Sequence, residues 1–126
     1  MDDEVSAGVT LARALVNQAW SSPMSYEPLW KARRLLENLL KVEQDHLLVL
    51  TCLGAVLCDL HLRTEAQAVL EQAARLGSTD RNTYFNLFVA MLGNATQQEA
   101  RAALEQGVHL ERDASSWEAY FDPHAQ

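Results

Sequence analysis

Cys58 and His61 stand one helical turn apart, a spacing at which a thiolate and an imidazole could share a divalent metal. Zinc wants three or four such ligands, and no Cys or His cluster lies within reach in sequence. The pair therefore reads as a core thiol beside a helix-end imidazole. The only other thiol, Cys52, is six residues from Cys58. On a helix that spacing turns the two roughly 120° apart, so they do not pair with each other, and both read as reduced, small apolar residues. No glycine-rich phosphate loop, nucleophile elbow, HExxH or CxxC occurs. The many Asp and Glu residues fall where solvated helix faces or caps would put them. The expectation is a protein that is not an enzyme and uses neither cofactor nor metal.

Charge narrows the partners further. A formal net charge of -7 argues against nucleic acid, because phosphate binding rests on clustered Lys and Arg that release counterions. The densest basic cluster, Lys31-Ala32-Arg33-Arg34, reads as a solvated helix face, with Glu27 to Lys31 and Glu37 to Lys41 at the favourable i,i+4 spacing. The most apolar stretch, Leu47 to Cys58, stops at Asp59 and His61, well short of the roughly 20 apolar residues that span a bilayer. No membrane segment is expected. The start, Met1-Asp-Asp-Glu-Val-Ser-Ala-Gly, is acidic where a secretory signal is basic and then apolar, so the cytoplasm is the expected compartment.

The elements that must position these residues are helical throughout. Ala, Leu, Glu, Gln and Arg fill the segments, and apolar residues recur every three to four positions, as in Leu29, Ala32, Leu35, Leu36, Leu39 and Leu40. Thr64-Glu-Ala-Gln67, Thr96-Gln-Gln-Glu99 and Ser115-Ser-Trp-Glu118 each have the form of a capping box. Pro28 suits a first turn, and Gly77 and Gly93 with Asn94 suit helix ends. The pattern predicts helices near residues 4–20, 28–43, 46–61, 65–76, 81–93 and 97–110, with a stub at 116–121 and no strand.

Sliding the chain by 34 residues places Leu50 on Tyr84, Leu53 on Leu87, Leu57 on Met91, Ala66 on Ala100, Leu70 on Leu104 and Ala73 on Gly107. The reverse step places Ala66 on Ala32, Leu70 on Leu36 and Ala73 on Leu39. This pattern resembles the tetratricopeptide repeat, a helix-turn-helix unit with small and large residues at fixed places in a 34-residue period. The matches include Gly54 and cover about two-thirds of the chain. Phe88 stands where Gly54 stands one unit earlier, His61 and Ala95 occupy a place where Gly is usual, no proline closes either unit, and the loop Ser21 to Glu27 stretches the first pair.

The resemblance implies an all-α domain over 1–126, with antiparallel helix pairs stacked as a short right-handed superhelix of about three repeats. Residues 1–46 form a divergent first pair with a long loop, 47–80 and 81–114 are repeats, and 115–126 is a capping helix and tail. Capping is expected from Trp117, Tyr120 and Phe121, folded over the exposed edge of the last pair and covering inward-facing positions with the protein itself. Trp20, Met24, Tyr26 and Trp30 around the first loop are expected to serve packing.

In this family peptides usually lie on the face that the first helix of each pair turns inward. Mapped here, that face comprises Leu48, Thr51, Cys52, Ala55, Cys58 and Asp59, then Asn82, Phe85, Asn86, Val89 and Leu92. Domains of this family that clamp a terminal carboxylate present Lys and Arg beside Asn. Here Asn82 and Asn86 remain and the cations are missing, so affinity for acidic tails is not expected. The expected function is a protein-protein interaction module, an adaptor or small chaperone that holds an apolar segment of another protein in its groove. Short acidic tetratricopeptide proteins are similar in this respect to the chaperones of bacterial type III secretion. Phe85 is the expected anchor, with Asn86 bonding to the client's backbone. The alternative is a self-associating assembly subunit, a weak homo-oligomer joined through its repeat ends.

Overall fold

The computed structural model describes residues 3–21 and 23–120. Six helices follow one another: α1 (Asp3–Ala19), α2 (Glu27–Val42), α3 (Leu47–Asp59), α4 (Arg63–Arg75), α5 (Arg81–Met91) and α6 (Gln97–Gly107). No strand occurs among the described residues, and none of their helices is long and apolar enough to cross a membrane. The helices pack as successive pairs, α1 with α2, α3 with α4 and α5 with α6, consistent with a tetratricopeptide-like helical repeat.

The pairing follows from the 34-residue register read in the sequence. Ala66 and Ala100 are completely buried, as are Leu70 and Ala73. Small residues let paired helices approach closely. A Cβ added at Gly54 would fall inside the isobutyl group of Leu70, and one added at Gly107 would come 2.7 Å from Cβ of Tyr84. One repeat earlier, the places of Tyr84 and Gly107 are taken by Leu50 and Ala73, also buried. The larger ring is matched by the smaller partner, so the volume between the helices is conserved.

Backbones of the first helices come near one another, α1 to α3 and α3 to α5, while those of α2, α4 and α6 stay further apart. Side chains bridge the wider side, with Arg33 of α2 paired to Glu65 of α4 at 2.7 Å. The stack is therefore tighter on the side of α1, α3 and α5, which makes that side concave. Helix α3, central in this row, is buried from Val49 through Asp59, and this explains why its apolar run covers most of its circumference.

Several local details depart from the sequence reading. Thr96 and Glu99 form the expected capping box at α6, each side chain bonding the other's backbone N–H. At α4 the box does not form. The helix begins at Arg63, with Leu62 at its N-cap and no side-chain cap, so Thr64 lies already inside. At α5 the cap is Asp80, whose Oδ1 accepts from the Asn82 N–H. His61 adopts φ 63 at the end of α3, where the repeat usually places Gly. Residues 111–120 form no helix, so the predicted stub over 116–121 is corrected to a non-helical segment through Tyr120; Phe121 lies outside the described residues. Around the first loop, Trp20 packs against the core, while Met24, Tyr26 and Trp30 are each more than two-fifths exposed, contrary to the packing expected of them.

Candidate functional site

The concave face is assembled from α1, α3 and α5, and residues 113–120 of the same chain lie along it. At the upstream end, Asp80 holds both the start of α5 and the segment. Its Oδ1 also accepts from the Asp113 N–H at 3.0 Å, and its Oδ2 accepts from the Ser116 hydroxyl at 2.5 Å. Asn82, two residues on, donates from Nδ2 to the Ser116 oxygen at 2.9 Å. An N-cap aspartate at the mouth of the groove thus does two jobs, because its carboxylate has more acceptor positions than the helix uses.

The middle of the segment is gripped by one side chain. Asn86, fully buried, donates from Nδ2 to the Trp117 carbonyl at 3.0 Å and accepts at Oδ1 from the Ala119 N–H at 2.7 Å. A carboxamide carries its donor and its acceptor on separate atoms side by side, and here it replaces the pair of bonds a neighbouring strand would provide. From the opposite wall, Arg13 of α1 donates to the Ser116 carbonyl at 3.1 Å and lies 5.8 Å from the Trp117 ring centroid. Trp117 and Ala119 are buried, Glu118 between them is half-buried, and Tyr120 is exposed. Alternation of this kind is the signature of an extended chain lying on a surface.

At the downstream end Asp59, at the C-terminus of α3, accepts from the Tyr120 N–H at 2.7 Å, and the Tyr120 ring stacks on Trp20 with centroids 4.5 Å apart. Burial pushes the Asp59 carboxyl up to about 7, opposed by the Tyr120 N–H and by the Trp20 indole, which faces it without reaching hydrogen-bond geometry. Burial likewise raises the Cys58 thiol to about 12 and raises that of Cys52. Cys58 donates weakly to the Asn86 carbonyl at 3.6 Å. Protonated, buried thiols of this kind are poor nucleophiles. Among the described residues, no three of His, Cys, Asp and Glu come together as metal ligands.

No protein-family model matches the chain, and no curated protein is significantly similar to it.

The residues singled out from the sequence fall in five different places. Asp59, Asn82 and Asn86 bond the segment directly. Cys52, Ala55 and Val89 are buried and belong to the apolar core. Thr51 turns its hydroxyl to Thr83 of α5 at 2.6 Å, where Ser78 joins them at 2.7 Å, so it fastens α3 to α5. Leu48 stays half-buried beside an open cleft between α1 and the start of the segment, lined also by Val9, Arg13 and Ala114. Phe85 and Leu92 are half-buried and pack against the core, the Phe85 ring 6.3 Å from that of Phe88. Thr83 faces α3, and a helix turn of 100° per residue puts Phe85, Phe88 and Leu92 on the opposite side of α5. Sequence reasoning missed Arg13, Asp80 and Trp20. The Asp80 cap carries a legible signal, an Asp immediately before a helical pattern, whereas nothing in sequence links Arg13 to a segment a hundred residues away.

Proposed function

We propose that this chain is a protein-protein interaction module whose concave face receives an extended segment of a partner polypeptide, as an adaptor or small chaperone does. The observation that carries the reading is the carboxamide of Asn86, which grips main-chain atoms of residues 117 and 119 and so recognises extended backbone whatever its side chains. Cys52, Ala55 and Val89 give the neighbouring wall an apolar character, and Arg13, Asp59 and Asp80 set polar contacts at its edges. Recognition through main-chain bonds, with pockets for alternate side chains, is a general way of holding extended peptides.

Panning a library of displayed random peptides against the full chain tests it. The expected result is a set of peptides whose affinity falls at least tenfold when Asn86 is replaced by Ala. A library that yields no peptide sensitive to Asn86→Ala overturns the reading.

One observation favours a second reading, self-association. Phe85 and Phe88 are only half-buried on the side of α5 turned away from α3, and Val108 beyond α6 is half exposed, so the last pair ends in apolar surface.

A further inference from the structure

The segment on the concave face is held firmly enough to occupy it and incompletely enough to be replaced. Its contacts come from side chains of three helices rather than from a backbone ladder. Of its side chains past Ser115, those of Ser116, Trp117 and Ala119 are buried. At the same contact, the Trp117 indole N–H and Oδ1 of Asn82 are buried without hydrogen-bond partners. Each such atom has lost its bonds to water without replacement, which weakens the contact relative to one that satisfies it.

Resting on the groove reading above, we propose that Ser116-Trp117-Glu118-Ala119-Tyr120 is a built-in stand-in for the partner. The partner's own segment carries the same register: a hydroxyl residue, an aromatic, any residue, a small residue and a second aromatic. The positions differ in what they demand. The hydroxyl fits between Asp80 and Asn82. The first aromatic is buried beside Arg13. The third position is half-buried and open to choice, the fourth must be small because it is buried where its N–H meets Asn86, and the fifth stacks on Trp20. The partner wins where it also offers an acceptor near the indole or a donor to Oδ1 of Asn82.

A tethered occupant competes at the high effective concentration set by its short connection to α6, so the affinity measured for an added segment is reduced by the fraction of molecules whose groove is closed. The probe is a synthetic peptide copying residues 113–120, titrated into the full chain by calorimetry, with amide hydrogen exchange followed at Ala119 and Tyr120. Tyr120→Ala removes only the exposed stack on Trp20, and Trp117→Ala removes the buried anchor. Both chains are expected to bind the peptide at least tenfold more tightly than the unaltered chain. Saturating peptide is expected to speed exchange at Ala119 at least tenfold in the unaltered chain. Equal affinity in the unaltered and Tyr120→Ala chains, both shown folded by thermal melts, overturns the proposal. So does a concentration-dependent dimer that Trp117→Ala abolishes, which would assign the groove to the tail of a second copy. If panned peptides require Asn86 yet leave Ala119 protected, the groove reading stands and the stand-in is removed; if no peptide requires Asn86, both fall.

Discussion

At the scale of single residues, Asn86 and Asp59 carry distinguishable loads. Asn86→Ala removes both bonds to the segment and leaves the buried Trp117 carbonyl and Ala119 N–H unpaired. The expected cost is about 2 kcal/mol or more, since a buried group left unsatisfied loses its whole desolvation penalty. Thermal melts measure the cost, and faster amide exchange at Ala119 locates it. Asp59 behaves differently because its folded carboxyl titrates near 7, raised chiefly by burial. The folded state therefore keeps a proton that the unfolded state gives up from about pH 4, so stability from this group is full at low pH and is lost as pH rises towards 7. Asp59→Asn keeps an acceptor for the Tyr120 N–H and never ionises. It should melt close to the unaltered protein near pH 4 and several degrees higher near pH 8. Equal melting temperatures at both pH values would contradict the burial account of Asp59.

At the scale of elements, two contrasts test why the helices begin and pair where they do. Thr96 caps α6 through its hydroxyl, whereas Thr64 lies inside α4 and caps nothing. Thr96→Ala should cost about 1 kcal/mol and Thr64→Ala close to nothing, as read from chemical denaturation. A sequence scan reads both as the same S/T-x-x-E/Q box, and the packing of Leu62 and Ala66 against the core decides which one forms. Gly54→Ala should be harmful despite alanine's higher helix propensity. The added methyl meets the side chain of Leu70, which is fully buried and has no room to turn, and overpacking of this kind costs about 1–3 kcal/mol. A Gly54→Ala protein as stable as the parent would show that the α3 and α4 contact is looser than described.

For the whole molecule, the non-helical segment ties the stack together, since it bonds α1, α3 and α5 at once. Weakening it should loosen the concave side rather than the outer one. Trp117→Ala is expected to lower the unfolding free energy by about 3 kcal/mol, in the range for truncating a buried indole. Amide exchange should quicken most in α1, which owes its place to α2 and to the segment. Self-association belongs to this scale too. Sedimentation at rising concentration should show a monomer if the interaction reading holds, and a shift reversed by Phe88→Ala would favour assembly through the last pair.

The helical class, the six helices and the pairing register were written in the sequence because they depend on local information: a 3.6-residue apolar period, small residues at a 34-residue repeat, and glycines at helix ends. The groove residues were partly legible for the same reason. A repeat register says which helix positions face inward, and Asp59, Asn82 and Asn86 are among them. That the chain's own aromatic tail covers this face was legible in outline, but its form and its bonds were not. Ser115 to Glu118 carries the local signals of a helix start, yet residues 111–120 form no helix. Asn86, Asp80 and Asp59 offer its N–H, carbonyl and hydroxyl groups partners that compete with a helix's own, and the indole gains burial beside Arg13. Those partners lie 31 to 61 residues away in the chain, and only the folded stack brings them to the segment.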